Sequence, residues 1–311
     1  MPSVTREQIT EALKSVSATD LQQDLVSAGV VETYAEFAGA LPRQAATRGR
    51  LIVLAIGANN FVNVTEQNKN RLQDLEFAAK DAQEFSKALQ RSATGLFSSV
   101  KTVLLNDFTD IKPDKADVRK ALAVLEEAGP DDTVVLFLAS HGFSDEAGNY
   151  FFMPRDGRFE DVLGVVESRN AAGKAPSLME GSEFFDALRK TAGRRIMVVD
   201  TCHARRIQGT LDTHSIRKRS AASSFAFVVA AKGTEDSQEY EPGGHGLFTY
   251  ALLESLRPSA DANGDGVVSL TEAFEHLAPI VERLRVRKLK QTPQLIAPRA
   301  LEAQPLAAVS R

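Results

Sequence analysis

The stretch IMVVDTCHA, Ile196 to Ala204, runs an apolar segment straight into an aspartate, a threonine, the only cysteine of the chain and a histidine. A short continuous apolar run is the mark of a strand covered on both faces. Four more runs of the same kind lie along the chain: LIVLAIG (51–57), VKTVLLN (100–106), TVVLFLA (133–139) and FAFVVAA (225–231), with RIMVVD (195–200) completing the set. Amphipathic stretches separate them. DLEFAAKDAQEFSKALQ sets Leu75, Ala78, Phe85 and Leu89 at helical spacing, KADVRKALAVLEEAG closes at Gly129, and SEFFDALRKTAG opens on Ser182 as a helix cap. Strand alternating with helix implies parallel neighbours and right-handed crossovers. The expected fold is α/β, a mostly parallel central sheet flanked by helices on both faces.

The bulk properties narrow the function. A chain of 311 residues with formal net charge -4 offers no global attraction to nucleic acid or to an anionic membrane. One cysteine excludes an intrachain disulfide, and MPSVTREQIT lacks the apolar core of a signal peptide. No run approaches the roughly 18 apolar residues that span a bilayer. These features point to a cytoplasmic protein. Residues 1–48 carry helical spacing at Ile9, Leu13 and Val16, then Leu21, Leu25 and Val30, interrupted at Gly29 and Pro42. They read as a helical preface to a domain over 49–311.

In open parallel sheets the chemistry gathers at the carboxyl ends of the strands. The third run ends in ASHG, putting His141 just beyond it, and the fourth ends in DTCHA, putting Cys202 just beyond it. An imidazole beside a thiol can take its proton, and the thiolate is the reactive nucleophile. Gly142 leaves backbone open beside His141, so its N–H can join that of Cys202 around a developing oxyanion. A lone cysteine at a strand end is ordinarily a small buried hydrophobe. The matching placement of SHG and DTCHA at corresponding ends of two apolar runs favours the catalytic reading. His203 is a poor base for its own neighbour, because successive side chains of an extended segment face opposite ways. His245, in PGGHGLF, falls where a helix begins.

Taken in order, IGANNF, AAKDAQEF, SHG, VVDTCHA, GHGLFTYALLESL and QTPQL resemble the caspase-like cysteine peptidases, in particular their metacaspase and bacterial orthocaspase branch, over about residues 50–300. The resemblance implies the caspase-like fold and peptide-bond cleavage by a Cys and His dyad, with His141 and Cys202 at the two catalytic positions. Animal caspases instead carry Gln-Ala-Cys-x-Gly and arginines that grip an acidic P1 residue. The aspartate two residues before the cysteine is similar to the metacaspase pattern, in which that acid and one on the first helix receive Arg or Lys. The matching residues are Asp200 and Asp81, and two carboxylates suit a forked guanidinium. The small polar positions of that pocket correspond to Ala78 and Ala139.

Two further segments carry expectations. HARRIQGTLDTHSIRKRSAASS is polar and basic; in the family this region joins a large-subunit part, here about 49–204, to a small-subunit part, about 223–311. The resemblance implies a linker over about 205–222 that is cut at Arg217, Lys218 or Arg219, by the enzyme itself or by an upstream activating protease. DANGDGVVSLTE fits the calcium-loop template, with oxygen ligands at Asp261, Asn263, Asp265 and Glu272 around a bend at Gly266. The metacaspase calcium cluster, a different one, has only Asp156, Glu160 and Asp161 to match it. The expectation is therefore a zymogen acting on protein or peptide substrates after Arg or Lys, with no cofactor required and calcium as the candidate ion. It includes no nucleic-acid or membrane partner. Bacterial relatives are implicated in regulated cell death and antiviral defence. The alternatives are a catalytically silent caspase-like adaptor and a calcium-responsive binding module.

Overall fold

A computed structural model of the protein describes residues 49–65, 67–68, 72–202, 225–232, 235–285 and 289–309. The helical preface expected over 1–48, and the basic segment 205–222 with Arg217, Lys218 and Arg219, lie outside the described residues.

The apolar runs form the strands β1 (Leu51–Gly57), β2 (Val100–Asn106), β3 (Thr133–Ser144), β6 (Arg194–Cys202) and β7 (Ala226–Val229). β4 (Tyr150–Phe152) and β5 (Met179–Glu180) form a short antiparallel extension beside β3, β10 (Val267–Ser269) pairs with β12 (Pro305–Ala308) in a separate sheet, and β11 (Gln294–Ile296) closes the far edge. The main order is β11-β7-β6-β3-β1-β2, with β2, β1, β3, β6 and β7 mutually parallel and β11 antiparallel to β7. The fold is thus the α/β arrangement expected.

Side-chain alternation along β1 divides the core in two. Leu51, Val53 and Ala55 pack on one face with Phe85 and Leu89 of α1 (Ala78–Ser92), Phe248 of α5 (Leu247–Glu254) and Leu277 of α6 (Leu270–Leu284). Ile52, Leu54 and Ile56 pack on the other with Val118 of α2 (Lys115–Ala121) and Phe184 and Leu188 of α4 (Gly181–Lys190). A third cluster, including Phe61, Phe143, Phe151 and Phe159, buries the loops at the carboxyl end of the sheet, with Phe159 opening α3 (Phe159–Val166). At the opposite end Asp132 accepts from the N–H of Arg50 at 2.6 Å and from its guanidinium at 2.7 and 3.0 Å. This pins the start of β1 to the start of β3.

Several local expectations change. The helix expected over 115–129 relaxes into a 3₁₀ segment from Leu122 to Glu127. The first turn of α4 is capped by Glu180, which forms a reciprocal capping box with Glu183, and not by Ser182. The glutamate wins because it precedes Gly181, where helical geometry begins.

Candidate active site

β3 and β6 both outrun their apolar segments. β3 continues through Ser140, His141 and Gly142 because residues 142–144 pair with 150–152 of β4. That second ladder supplies partners for backbone groups that would otherwise end the strand. The β3 to β6 register then runs unbroken from Thr133 opposite Arg194 to His141 opposite Cys202. His141 and Cys202 therefore lie within the strands, not just beyond them, and their backbones form the last rung of the central ladder.

His141 is buried, and its Nε2 lies 2.7 Å from the carbonyl oxygen of Gln73. A carbonyl only accepts, so Nε2 carries the proton and Nδ1 holds the basic lone pair. The ring leans on Phe61 at 5.0 Å and Phe143 at 6.2 Å between centroids, which fixes its plane. The N–H of Met153 donates to the carbonyl of His141 at 3.0 Å. Antiparallel pairs alternate, so the adjacent Gly142 and Phe152 pair is the non-hydrogen-bonded one and the N–H of Gly142 faces away from β4. A Cβ on Gly142 would sit 2.6 Å from Thr201 Oγ1 and 2.8 Å from the Tyr150 ring. Only glycine fits there.

The two acids expected to form a pocket do come together. Asp81, one turn into α1, and Asp200, two residues before the end of β6, are both buried. Between them lies β9 (His245–Gly246), which pairs with β8 (Glu239–Tyr240). Asp81 Oδ1 lies 2.6 Å from His245 Nδ1, and Asp81 Oδ2 accepts the N–H of Gly246 at 2.9 Å. Asp200 accepts from Ser237 Oγ at 2.7 Å and from Thr249 Oγ1 at 2.6 Å. A Cβ on Gly246 would lie 3.0 Å from Oδ2 of each aspartate, so the glycine is what lets backbone pass between them. Burial pushes Asp81 up to about 7, against the hydrogen bond from His245 and with the nearby Asp200 charge adding to the rise. Burial also raises Asp200, opposed by the Thr249 and Ser237 hydroxyls. Ala78 and Ala139, the small positions matched to that pocket by resemblance, are buried.

Three residues to which the sequence motifs assigned no role also make contacts here. Gln73 contributes a backbone atom. Gln291, the first residue of QTPQL, donates from Nε2 to Ser237 Oγ at 3.1 Å and accepts the N–H of Gln238 at 2.9 Å, steadying the hydroxyl on Asp200. His245 does precede a helix, as expected, but its partner Asp81 stands 164 residues away in sequence.

Asp261, Asn263 and Asp265 fold as a hydrogen-bonded turn. Asp261 accepts the N–H groups of Gly264, Asp265 and Gly266, and Asn263 accepts that of Asp265. Glu272 forms a capping box with Ser269 at the start of α6, where it also receives the N–H of Asn263. Asp156 and Asp161 each cap a different backbone N–H, of Lys115 and Ser177. Among the described residues no group of three or more His, Cys, Asp or Glu side chains is arranged to hold a metal ion. Nor is any described helix long and apolar enough to cross a membrane.

The mostly parallel sheet thus carries a histidine and a cysteine on its last central rung. The caspase domain family matches residues 50–302, and the chain belongs to that family of cysteine peptidases, whose substrates are proteins. Among solved structures, a structural-genomics protein from Geobacter sulfurreducens is 15% identical and superposes with a TM-score of 0.52 over 84% of this chain and 100% of that one. Caspase-1 from Spodoptera frugiperda is 13% identical, with a TM-score of 0.48 over 86% of this chain and 91% of that one. Among curated proteins no sequence match is found.

Proposed function

We propose that the protein is an endopeptidase of the metacaspase and orthocaspase branch that cleaves after Arg or Lys through Cys202 and His141. The observation that carries this reading is the register of His141 with Cys202, together with the Gln73 carbonyl on His141 Nε2. Neighbouring strands lie about 4.8 Å apart, so this register brings the two backbone positions side by side at the sheet's carboxyl end. His141 Nδ1 takes the thiol proton, and the Cys202 thiolate attacks the scissile carbonyl. The N–H groups of Gly142 and Cys202 receive the oxyanion. His141 then protonates the leaving amine, and water hydrolyses the acyl-enzyme with His141 as base.

Asp81 and Asp200 support the basic specificity. Two buried carboxylates, each raised by desolvation, ionise at a cost that a bound cationic side chain reduces. The chain is a zymogen in this reading, cut within 205–222. The test is hydrolysis of Arg, Lys and Asp reporter peptides by the parent, Cys202→Ala and His141→Ala. The parent should cleave after Arg or Lys, and both variants should lose at least about a thousandfold in kcat while staying folded. Turnover retained in Cys202→Ala overturns the nucleophile, and cleavage after Asp overturns the pocket.

A further inference from the structure

We propose that His245 sets the affinity of the primary pocket: its imidazole occupies the acidic pocket in place of the P1 cation, and a basic side chain enters by displacing it. The inference rests on the reading of Asp81 and Asp200 as that pocket.

Each of the four carboxylate oxygens already accepts one hydrogen bond. Three of these come from groups that hold the architecture: Ser237 Oγ, Thr249 Oγ1 and the N–H of Gly246. The fourth comes from His245 Nδ1, on a side chain 12% exposed and so able to swing toward solvent. The backbone beneath that side chain is held. Tyr240 pairs with His245, Lys80 Nζ donates to the carbonyl of Gly244 at 2.8 Å, and Glu239 Oε1 accepts the N–H of Glu76 at 2.7 Å. What yields is therefore the ring and not the loop. The charged and titratable groups around it are Asp81 and Lys80 on α1, Glu239 and Tyr240 on β8, Tyr250 on α5 and Asp200 on β6.

This arrangement has a chemical logic. Asp81 Oδ1 left facing no donor would be costly to keep buried, and the imidazole supplies that donor until substrate arrives. It offers Asp81 one bond, whereas a guanidinium offers five donors in a planar fork. A basic P1 side chain thus replaces a weaker partner with a stronger one and spends part of its binding on the exchange. The same ring leaves for Arg and for Lys, so the exchange lowers affinity for both by the same factor.

Steady-state cleavage of Arg and Lys peptides by the parent and His245→Ala provides the test. Losing a competing hydrogen bond to a charged group should lower KM about tenfold for both peptides, with kcat changed by less than about twofold and the Arg to Lys ratio unaltered. An unchanged or raised KM in a folded His245→Ala protein overturns the inference. If that variant does not fold, the full-length Cys202→Ala protein is titrated with arginine amide while the imidazole resonances are followed by NMR. A saturable shift of the His245 signal is expected; arginine amide binding without that shift overturns the proposal. A parent that cleaves after Arg while His245→Ala behaves identically removes only the role of His245. A parent that neither cleaves after Arg or Lys nor binds arginine amide removes the acidic-pocket reading, and this inference with it.

Discussion

Burial favours the neutral form of Asp81, while the proposed binding of a basic substrate requires its charge. With its carboxyl raised to about 7, the folded state holds a proton that the unfolded chain releases near the ordinary carboxylate value. The contribution to stability is therefore full below about pH 4 and is lost as pH rises through about 7. Affinity for a basic substrate runs the other way. KM for an Arg peptide should fall as pH rises through about 7, and Asp81→Asn should raise KM and flatten that dependence, as a pH series of initial rates would reveal. Gly142 makes a purely steric counterpart. Gly142→Ala forces a methyl onto Thr201 and Tyr150, a strain of about 1–3 kcal/mol. Thermal unfolding should register that loss, and the rate should drop further because the N–H beside the nucleophile moves.

At the scale of elements, legibility followed the range of the interactions. β1 and β3 were readable because both faces are buried, so their residues are apolar without a break. Their extent was not readable. The last residues of β3 are polar or glycine, and only pairing with β4 makes them strand. β8 and β9, two residues each, leave no period to detect, so the contact of His245 with Asp81 was hidden even though resemblance singled out Asp81 and Asp200. In the turn from Asp261 to Glu272 the acids that match a ligand template also hold local structure, Asp261 through backbone amides and Glu272 through the cap of α6. Ser269→Ala should accordingly cost about 1 kcal/mol, seen as a melting point lower by roughly 2–4 °C.

On the scale of the whole molecule, the two acids and their partners come from opposite sides of the segment 203–224. Asp81, Asp200, His141 and Cys202 precede it; Ser237, His245, Thr249 and Gln291 follow it. The strands on either side, β6 and β7, are bound by a parallel ladder that pairs Ile196 with Ala226 through Val199 with Val229. A cut within 205–222 therefore divides the polypeptide without dividing the sheet. A cut protein should give two bands under denaturing electrophoresis and one species of unchanged mass in gel filtration. Changing Arg217, Lys218 and Arg219 together to Ala should leave one band, and continued fragmentation at that place would exclude these residues as the cleavage point. The ladder also makes the two halves a lock and key encoded in one gene: polypeptides 49–204 and 223–311 produced separately should find one another by strand addition, and neither alone would own a complete pocket.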